Sequence, residues 1–353
     1  MSGRYLLQHA RRLEPGCFAA VMATGIASVD AAQHGLVWIA RALLVVNIGV
    51  FGWLVALSLL RLARFRRRMF ADLADARRGA GYLTFVAGAG VLGSQCLMVI
   101  EAPRAAWLLW VLAFLAWIAL SQAFFAVMIT RRHKPPFAAG IGGGWLVLVV
   151  STEAVAVLGN LLAMRGGPAT EWLAVVALCA WLVGLAFYIW IGTLVVQRLV
   201  FHPLDPAELR APYWIAMGAL AIVTLAGALI MQRPPAGNLS AVFPFVTGFT
   251  LLAWALASWW IPLLVILGFW RHVLRRLPLR YTADDWNMAF PVGMYTVGTF
   301  ELANALELGF MHRISALGVY LNLLVWGTIA AGAVVHHARA FHLHRGGATP
   351  RGG

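Results

Sequence analysis

The sequence predicts an all-α integral membrane protein, ten transmembrane helices arranged as five quasi-symmetric helical hairpins around a central axis. Three observations predict it. Hydrophobic residues make up 62% of the 353 residues and charged ones only 11%, with a mean hydropathy of +0.81; soluble domains carry about twice that charge. The apolar residues fall into ten runs of bilayer length, which takes roughly 20 residues per helix. The basic residues crowd into alternate connections between those runs.

The runs cover 15–35, 37–60, 81–101, 105–129, 140–163, 171–197, 212–231, 242–269, 286–306 and 314–338. They leave residues 1–14 as a polar N-terminal segment, 15–338 as the ten-helix domain and 339–353 as a tail. No small-residue cleavage site follows the first run, so no removable signal peptide is expected. If odd-numbered spans run outward, the cytoplasmic segments hold 22 of the 27 Lys and Arg. The opposite loops keep Arg41, Arg104, Arg165, Arg233 and Arg313, one each. By the positive-inside rule both termini are cytoplasmic, in a multi-pass protein of the cell inner membrane. The net charge of +14 thus reads as a topology signal, with the lipid bilayer as partner and no nucleic acid.

The spans differ by parity. Over 20-residue windows the odd spans carry 15 glycines against 8 in the even ones, whereas 13 of 16 tryptophans lie on the even spans or their flanks. Small residues let helices approach closely inside a bundle; large aromatics suit lipid contact and the interfacial belt. The odd helices are therefore expected to form an inner ring and the even helices an outer one. Each odd span also opens on a small or Pro-containing segment and an aromatic: Phe18, Tyr82, Trp145, Trp214 and Trp286, spaced 64, 63, 69 and 72 residues apart. A period of one helical hairpin is the mark of internal repetition, which transport folds commonly use. All five inner helices would then start at the basic side, with their positive dipole ends around one anion-attracting vestibule.

Several residues are candidates for function. In Trp286-Asn287-Met288-Ala289-Phe290-Pro291 a proline inside the helix removes a backbone hydrogen bond and kinks it, which redirects Phe290, a side chain large enough to plug a narrow pore. Asp30, Glu153 and Glu301 fall within odd spans, where a carboxylate is costly unless paired or functional. Asp30, near the outer end, is expected to be wetted; Glu153 and Glu301 are candidates for proton coupling, or else bond to neighbours such as Thr152, Tyr295 or Asn304. Inner-ring hydroxyls and glycines, with Phe18, Met22, Thr24, Gly25, Thr84, Gly88, Thr152, Tyr295 and Thr299 as the leading set, are the candidate pore lining. Cys17, Cys96 and Cys179 lie in separate spans and read as apolar filling. His336, His337, His342 and His344 crowd the last helix end, but the other histidines are scattered, so no metal site is expected. Without a GxxxxGK[ST] loop, ATP-driven pumping is not expected either, and no cofactor is called for.

The segment Pro15-Gly16-Cys17-Phe18-Ala19-Ala20-Val21-Met22-Ala23-Thr24-Gly25 resembles the PGxFxxVMxTG opening of the tellurite-resistance/dicarboxylate transporter family, within the voltage-dependent and slow-type anion channel superfamily. Leu204 to Pro212 resembles that family's Leu-x-Pro linker, and Trp286 to Pro291 its W-x-x-x-F-P start of the ninth span. The family includes plant slow-type anion channels, bacterial TehA proteins, yeast malate permeases and fungal sulfite exporters. The resemblance implies a central pore in each protomer, a homotrimer, Phe290 as the pore-occluding gate beside Pro291, and small inorganic or organic anions as cargo rather than an enzymatic substrate. Proton-coupled transport of C4-dicarboxylates, sulfite or related oxyanions is the alternative, with tellurite resistance as a family label. One departure stands out: family members commonly kink several inner helices with prolines, but here the third and fifth spans have only glycines.

Overall fold

The computed structural model describes residues 3–167, 169–233 and 237–346, and among the described residues helix is the only regular structure. A short helix α1 (Gly3–Arg12) precedes five copies of one unit. The pairs are α2 (Ala19–Gln33) with α3 (Val37–Leu73) and α4 (Thr84–Ile100) with α5 (Pro103–Thr130). After a single turn α6 (Phe137–Gly140) come α7 (Val147–Met164) with α8 (Thr170–Phe201), α9 (Ile215–Gln232) with α10 (Phe243–Phe269), and α11 (Trp286–Leu306) with α12 (Gly309–Gly346). Each first member is entered through a 3-10 turn: Pro15–Phe18, Gly79–Leu83, Gly143–Leu146, Ala211–Trp214 and Ala283–Asp285. The recurring opening segments of the sequence are these turns. Proline, glycine and, at the last, the Thr282–Asp285 capping box supply starts that cannot extend backwards as helix.

The first members close a ring. α2 packs on α4, α4 on α7, α7 on α9, α9 on α11, and α11 returns to α2. The second members form a shell around it, each leaning on its own partner and on the next inner helix round: α3 on α2 and α4, α5 on α4 and α7, α8 on α7 and α9, α10 on α9 and α11, α12 on α11 and α2. The 3-10 turns close a smaller ring of their own at one end, hereafter the mouth. Burial separates the two rings: the apolar stretches of α2, α4, α7 and α9 are 78–94% buried and those of the outer helices 17–39%. Nine of the described helical segments have the length and apolarity to cross a bilayer. The tenth, α11, has 21 residues, about 31 Å at the helical rise, and is less apolar because it carries Asn287, Glu301 and Asn304. The protein is thus an all-α, multi-pass membrane protein.

Glycine makes the inner ring tight where it matters. A Cβ on Gly90 would sit 3.0 Å from the Ala154 carbonyl oxygen across α4 and α7, and one on Gly298 would lie 2.8 Å from the Ala221 oxygen across α9 and α11.

Two expectations change. The arginine-rich segment after residue 60 is helical, since α3 runs on to Leu73, its dihedral angles broken only at Phe65 (φ −132°). Arg, Leu and Met are good helix formers, and no glycine or proline intervenes. Several outer-ring tryptophans also turn inward rather than to lipid. Trp110 and Trp181 donate their indole N–H to the Val155 and Val223 carbonyls at 3.1 and 3.0 Å. A buried indole needs an acceptor, and the inner helices supply it.

Candidate functional site

Two spaces lie along the axis of the inner ring. At the mouth a vestibule of about 880 Å³ is bordered by the 3-10 turns and by Thr84, Val147, Ile215 and Asn287. Deeper, a cavity of only about 20 Å³ has room for roughly one water. Every inner helix lines it with the same spacing: Ile26, Val29 and Gln33; Val91, Ser94 and Met98; Ala154, Val157 and Leu161; Ile222, Leu225 and Leu229; Met294, Val297 and Glu301. These steps of three and four are one helical face. On α11 that face runs Asn287, Phe290, Met294, Val297, Glu301, so Phe290 occupies the step between the vestibule residue and the first cavity residue. Phe290 is 1% exposed. Pro291 packs on Gly218 of α9 and has no N–H for the Asn287 carbonyl.

The vestibule is not the basic funnel expected. Its wall carries Arg77, Arg78 and Arg210, but also Glu14, Asp75, Asp205, Glu208 and Asp284. Arg78 pairs with Glu14 at 3.0 Å, Arg77 with Glu208 at 3.2 Å and Arg210 with Asp284 at 2.6 Å. Each pair joins different repeat units, so the charges stitch the ring of turns together. The five helix starts around it present their positive dipole ends. Arg61, buried in α3, pairs with Asp72 and donates to the Leu13 carbonyl at 2.5 Å, while Arg198 pairs with Glu208 at 2.7 Å; both are structural.

Of the three carboxylates within the inner helices, two are partnered and one is not. Glu301 accepts from Gln33 Nε2 at 2.5 Å and Gln232 Nε2 at 2.7 Å. Of the expected bonds, that to Asn304 is present at 3.4 Å. Asp30 is fully buried rather than wetted: it accepts from Asn322 Nδ2 of α12 at 2.7 Å and faces His34 Nδ1 at 3.2 Å. His34 in turn meets the Ser315 hydroxyl at 3.1 Å, so it is not the isolated loop histidine of the sequence reading. Its pKa is raised, chiefly by the hydrogen bond to Asp30. Glu153 is the exception. It is fully buried, lies against Gly184 of α8, and neither oxygen has a hydrogen-bond partner among the described residues. It faces the outer ring, and the expected bonds to Thr152 or other neighbours are not formed.

The remaining candidates divide by where they point. Thr84 borders the vestibule, its hydroxyl donating to the Gly81 carbonyl at 2.7 Å. Thr24, Thr152 and Thr299 turn to the outer ring instead, accepting the indole N–H of Trp326 (3.0 Å), Trp117 (2.8 Å) and Trp254 (2.9 Å). Tyr295 also faces α10, bonding Ser258 at 2.7 Å. Phe18 packs edge-on against Phe51 and Phe85. None of these five borders either space; buried N–H groups claim the hydroxyls before an ion can. Gly25 and Gly88 are helix contacts, their Cβ positions meeting Val91 at 2.6 Å and Val21 at 3.4 Å. Met22 is buried one turn before Ile26 on the lining face. Sequence reasoning missed Asn287, Gln33 and Gln232; the available signal was a polar residue ending each of two inner helices. His336 and His337 stack edge-on; the His342 and His344 side chains lie outside the described residues.

A five-hairpin ring with an axial vestibule and a narrow apolar bore is the architecture of a conduit, and comparison with known proteins agrees. The family described as voltage-dependent anion channel matches residues 12–334. The chain belongs to this family. Voltage-dependent anion channel family members are anion channels or transporters, not enzymes, and this chain is one of them. Two uncharacterized membrane proteins of Mycobacterium tuberculosis strains are 43% identical to it over 153 residues, 43% of this chain and 77% of theirs. An uncharacterized transporter of Methanocaldococcus jannaschii is 23% identical over 326 residues, 89% of this chain and 90% of its own. A sulfite efflux pump of Arthroderma otae is 24% identical over 340 residues, covering 88% and 86%.

Proposed function

We propose that this family member passes small anions across the inner membrane through a pore inside the inner ring of each protomer of a homotrimer, and that Phe290 closes that pore. One observation supports the reading: Phe290 is 1% exposed and, though it borders neither space itself, falls at the helical step of α11 between Asn287 on the vestibule of about 880 Å³ and Met294 on the cavity of about 20 Å³. Pro291 loosens the helix at that point, because it has no N–H to donate to the Asn287 carbonyl. The arginine distribution supports a cytoplasmic mouth and cytoplasmic termini. Thr84 is the lining hydroxyl at the mouth, and Met22 is the buried α2 residue one turn before Ile26 of the cavity. Phe290→Ala is expected to raise chloride efflux from proteoliposomes many-fold; unchanged efflux refutes the assignment.

Glu301 supports a second reading, proton-coupled transport or efflux of an oxyanion of the sulfite or dicarboxylate type, since it is the acidic side chain on the cavity wall and one relative is a sulfite efflux pump. In that case Glu301→Gln abolishes accumulation driven by a pH gradient in vesicles, and accumulation that keeps its pH dependence rejects it.

A further inference from the structure

The far end of the cavity is built from five residues, one per inner helix, and they are not alike. Met98, Leu161 and Leu229 make one side apolar; Gln33 and Glu301 make the other polar, with Gln232 reaching in from the end of α9. Gln33 and Gln232 are the last residues of α2 and α9, the two ring neighbours of α11. Their amides converge from opposite sides, Gln33 on one oxygen of Glu301 at 2.5 Å and Gln232 on the other at 2.7 Å. Both oxygens accept, which is the pattern of a carboxylate. Among the described residues no Lys, Arg or His nitrogen lies within 4 Å of it.

Two convergent amide donors, with no cation, form a site for a small anion rather than for a cation. The helix C-termini gathered there would oppose an anion, but two arginines of this end blunt that field. Arg165 donates to the Leu97 carbonyl of α4 at 3.4 Å and Arg233 to the Ala163 carbonyl of α7. The cavity between Phe290 and this point offers an anion little else: its polar lining besides Gln33 and Glu301 is Ser94, whose hydroxyl is spent on the Gly90 carbonyl. The geometry points to a second anion site at the far end, made by the Gln33 and Gln232 amides and filled in this state by the chain's own Glu301 carboxylate. The tethered carboxylate is a resident anion, and a passing monoanion such as chloride or nitrate must displace it. This rests on the pore reading above for its role in transport, but not for its binding chemistry.

Removing the resident anion should expose the site. In detergent, sodium nitrate at ten times its dissociation constant is expected to raise the unfolding temperature of Glu301→Ala by about 2 °C, beyond any rise in wild type. Adding Gln33→Leu to that variant is expected to cancel the rise. If Glu301→Ala does not fold, Glu301→Ser serves, its short hydroxyl leaving the amides free. Equal nitrate stabilisation of wild type and both variants, or none in Glu301→Ala, overturns the site. Proteoliposomes give the transport arm: Glu301→Ala is expected to raise nitrate efflux further in a Phe290→Ala background. Nitrate binding that appears without any Phe290 effect on efflux refutes the gate and keeps the site; a Phe290 effect without nitrate binding does the reverse.

Discussion

Gly218→Ala tests whether the proposed plug is held by the packing of two neighbouring inner helices. A Cβ at Gly218 would stand 2.7 Å from Cγ, 2.9 Å from Cβ and 3.1 Å from Cα of Pro291. Carbon atoms settle at about 3.5–4.0 Å, so the contact is short by most of an ångström. No rotamer relieves it, because a proline ring cannot swing away and its Cα is backbone. α9 and α11 must therefore separate beside Phe290. Overpacking of this kind costs about 1–3 kcal/mol, which for a chain of this size is a fall in unfolding temperature of roughly 1–4 °C. The same separation loosens the plug, so basal chloride efflux from proteoliposomes should rise along with the loss of stability. Gly248→Ala on α10 is the control: nothing lies within 4 Å of its Cβ position, and the substitution should gain about 0.5–1 kcal/mol from reduced backbone freedom. If Gly218→Ala matches wild type in both unfolding temperature and efflux, the helices are not locked at this level and the reasoning fails.

Three other substitutions separate structural from conducting roles. Glu153→Met removes a buried carboxyl with no partner and should stabilise the fold by about 1–3 kcal/mol without altering ion selectivity; a selectivity change measured from reversal potentials would show that Glu153 meets the pathway after all. Thr299→Val strands the Trp254 indole N–H and should cost about 1–3 kcal/mol in thermal unfolding, with efflux kept. For His34 the sign follows from its raised pKa: the protonated ring is favoured in the fold, so its contribution is complete below its usual 6.5 and is lost as the pH climbs through the raised value. Unfolding temperature should thus fall between weakly acidic and weakly alkaline pH in wild type, and His34→Gln should flatten that slope.

The fold was legible because the bilayer constrains so much of the sequence. The ten apolar runs and the parity of glycine and tryptophan were enough to assign α2 and α9 to an inner ring and α5 and α8 to a shell. The turn before several inner helices also left a direct trace, since Pro15-Gly16 and Pro212 favour the first turn of a helix over its interior. The candidate site was legible only in part. A helical face is readable from spacing once one lining residue is known, but nothing local says which face of Thr152 or Thr299 looks inward. That is decided by Trp117 and Trp254 on other helices, 35 and 45 residues away. The vestibule misled for a related reason. Counting arginines weighs the whole cytoplasmic face, whereas the wall of the mouth is set by Glu14, Glu208 and Asp284, which fold back onto the few arginines that reach it.

The asymmetry of the inner ring is where structure and proposed function meet. Repetition of one hairpin makes equivalent layers, and the residues one turn before the first matched cavity residues are Met22, Ala87, Val150, Gly218 and Phe290. All five are buried in the inner ring. A symmetric layer of five medium side chains would leave either an open hole or a seal that no single movement could break. Here the volume is gathered on Phe290, while Ala87 and Gly218 keep the rest of the layer small. One ring turning about its own side-chain torsions can then change the bore, with the backbone of four helices left in place. On the gating reading proposed above, the proline that follows it removes one backbone hydrogen bond next to the proposed plug. On the same reading, the barrier is local to one side chain, and the cavity beyond it can stay small and apolar.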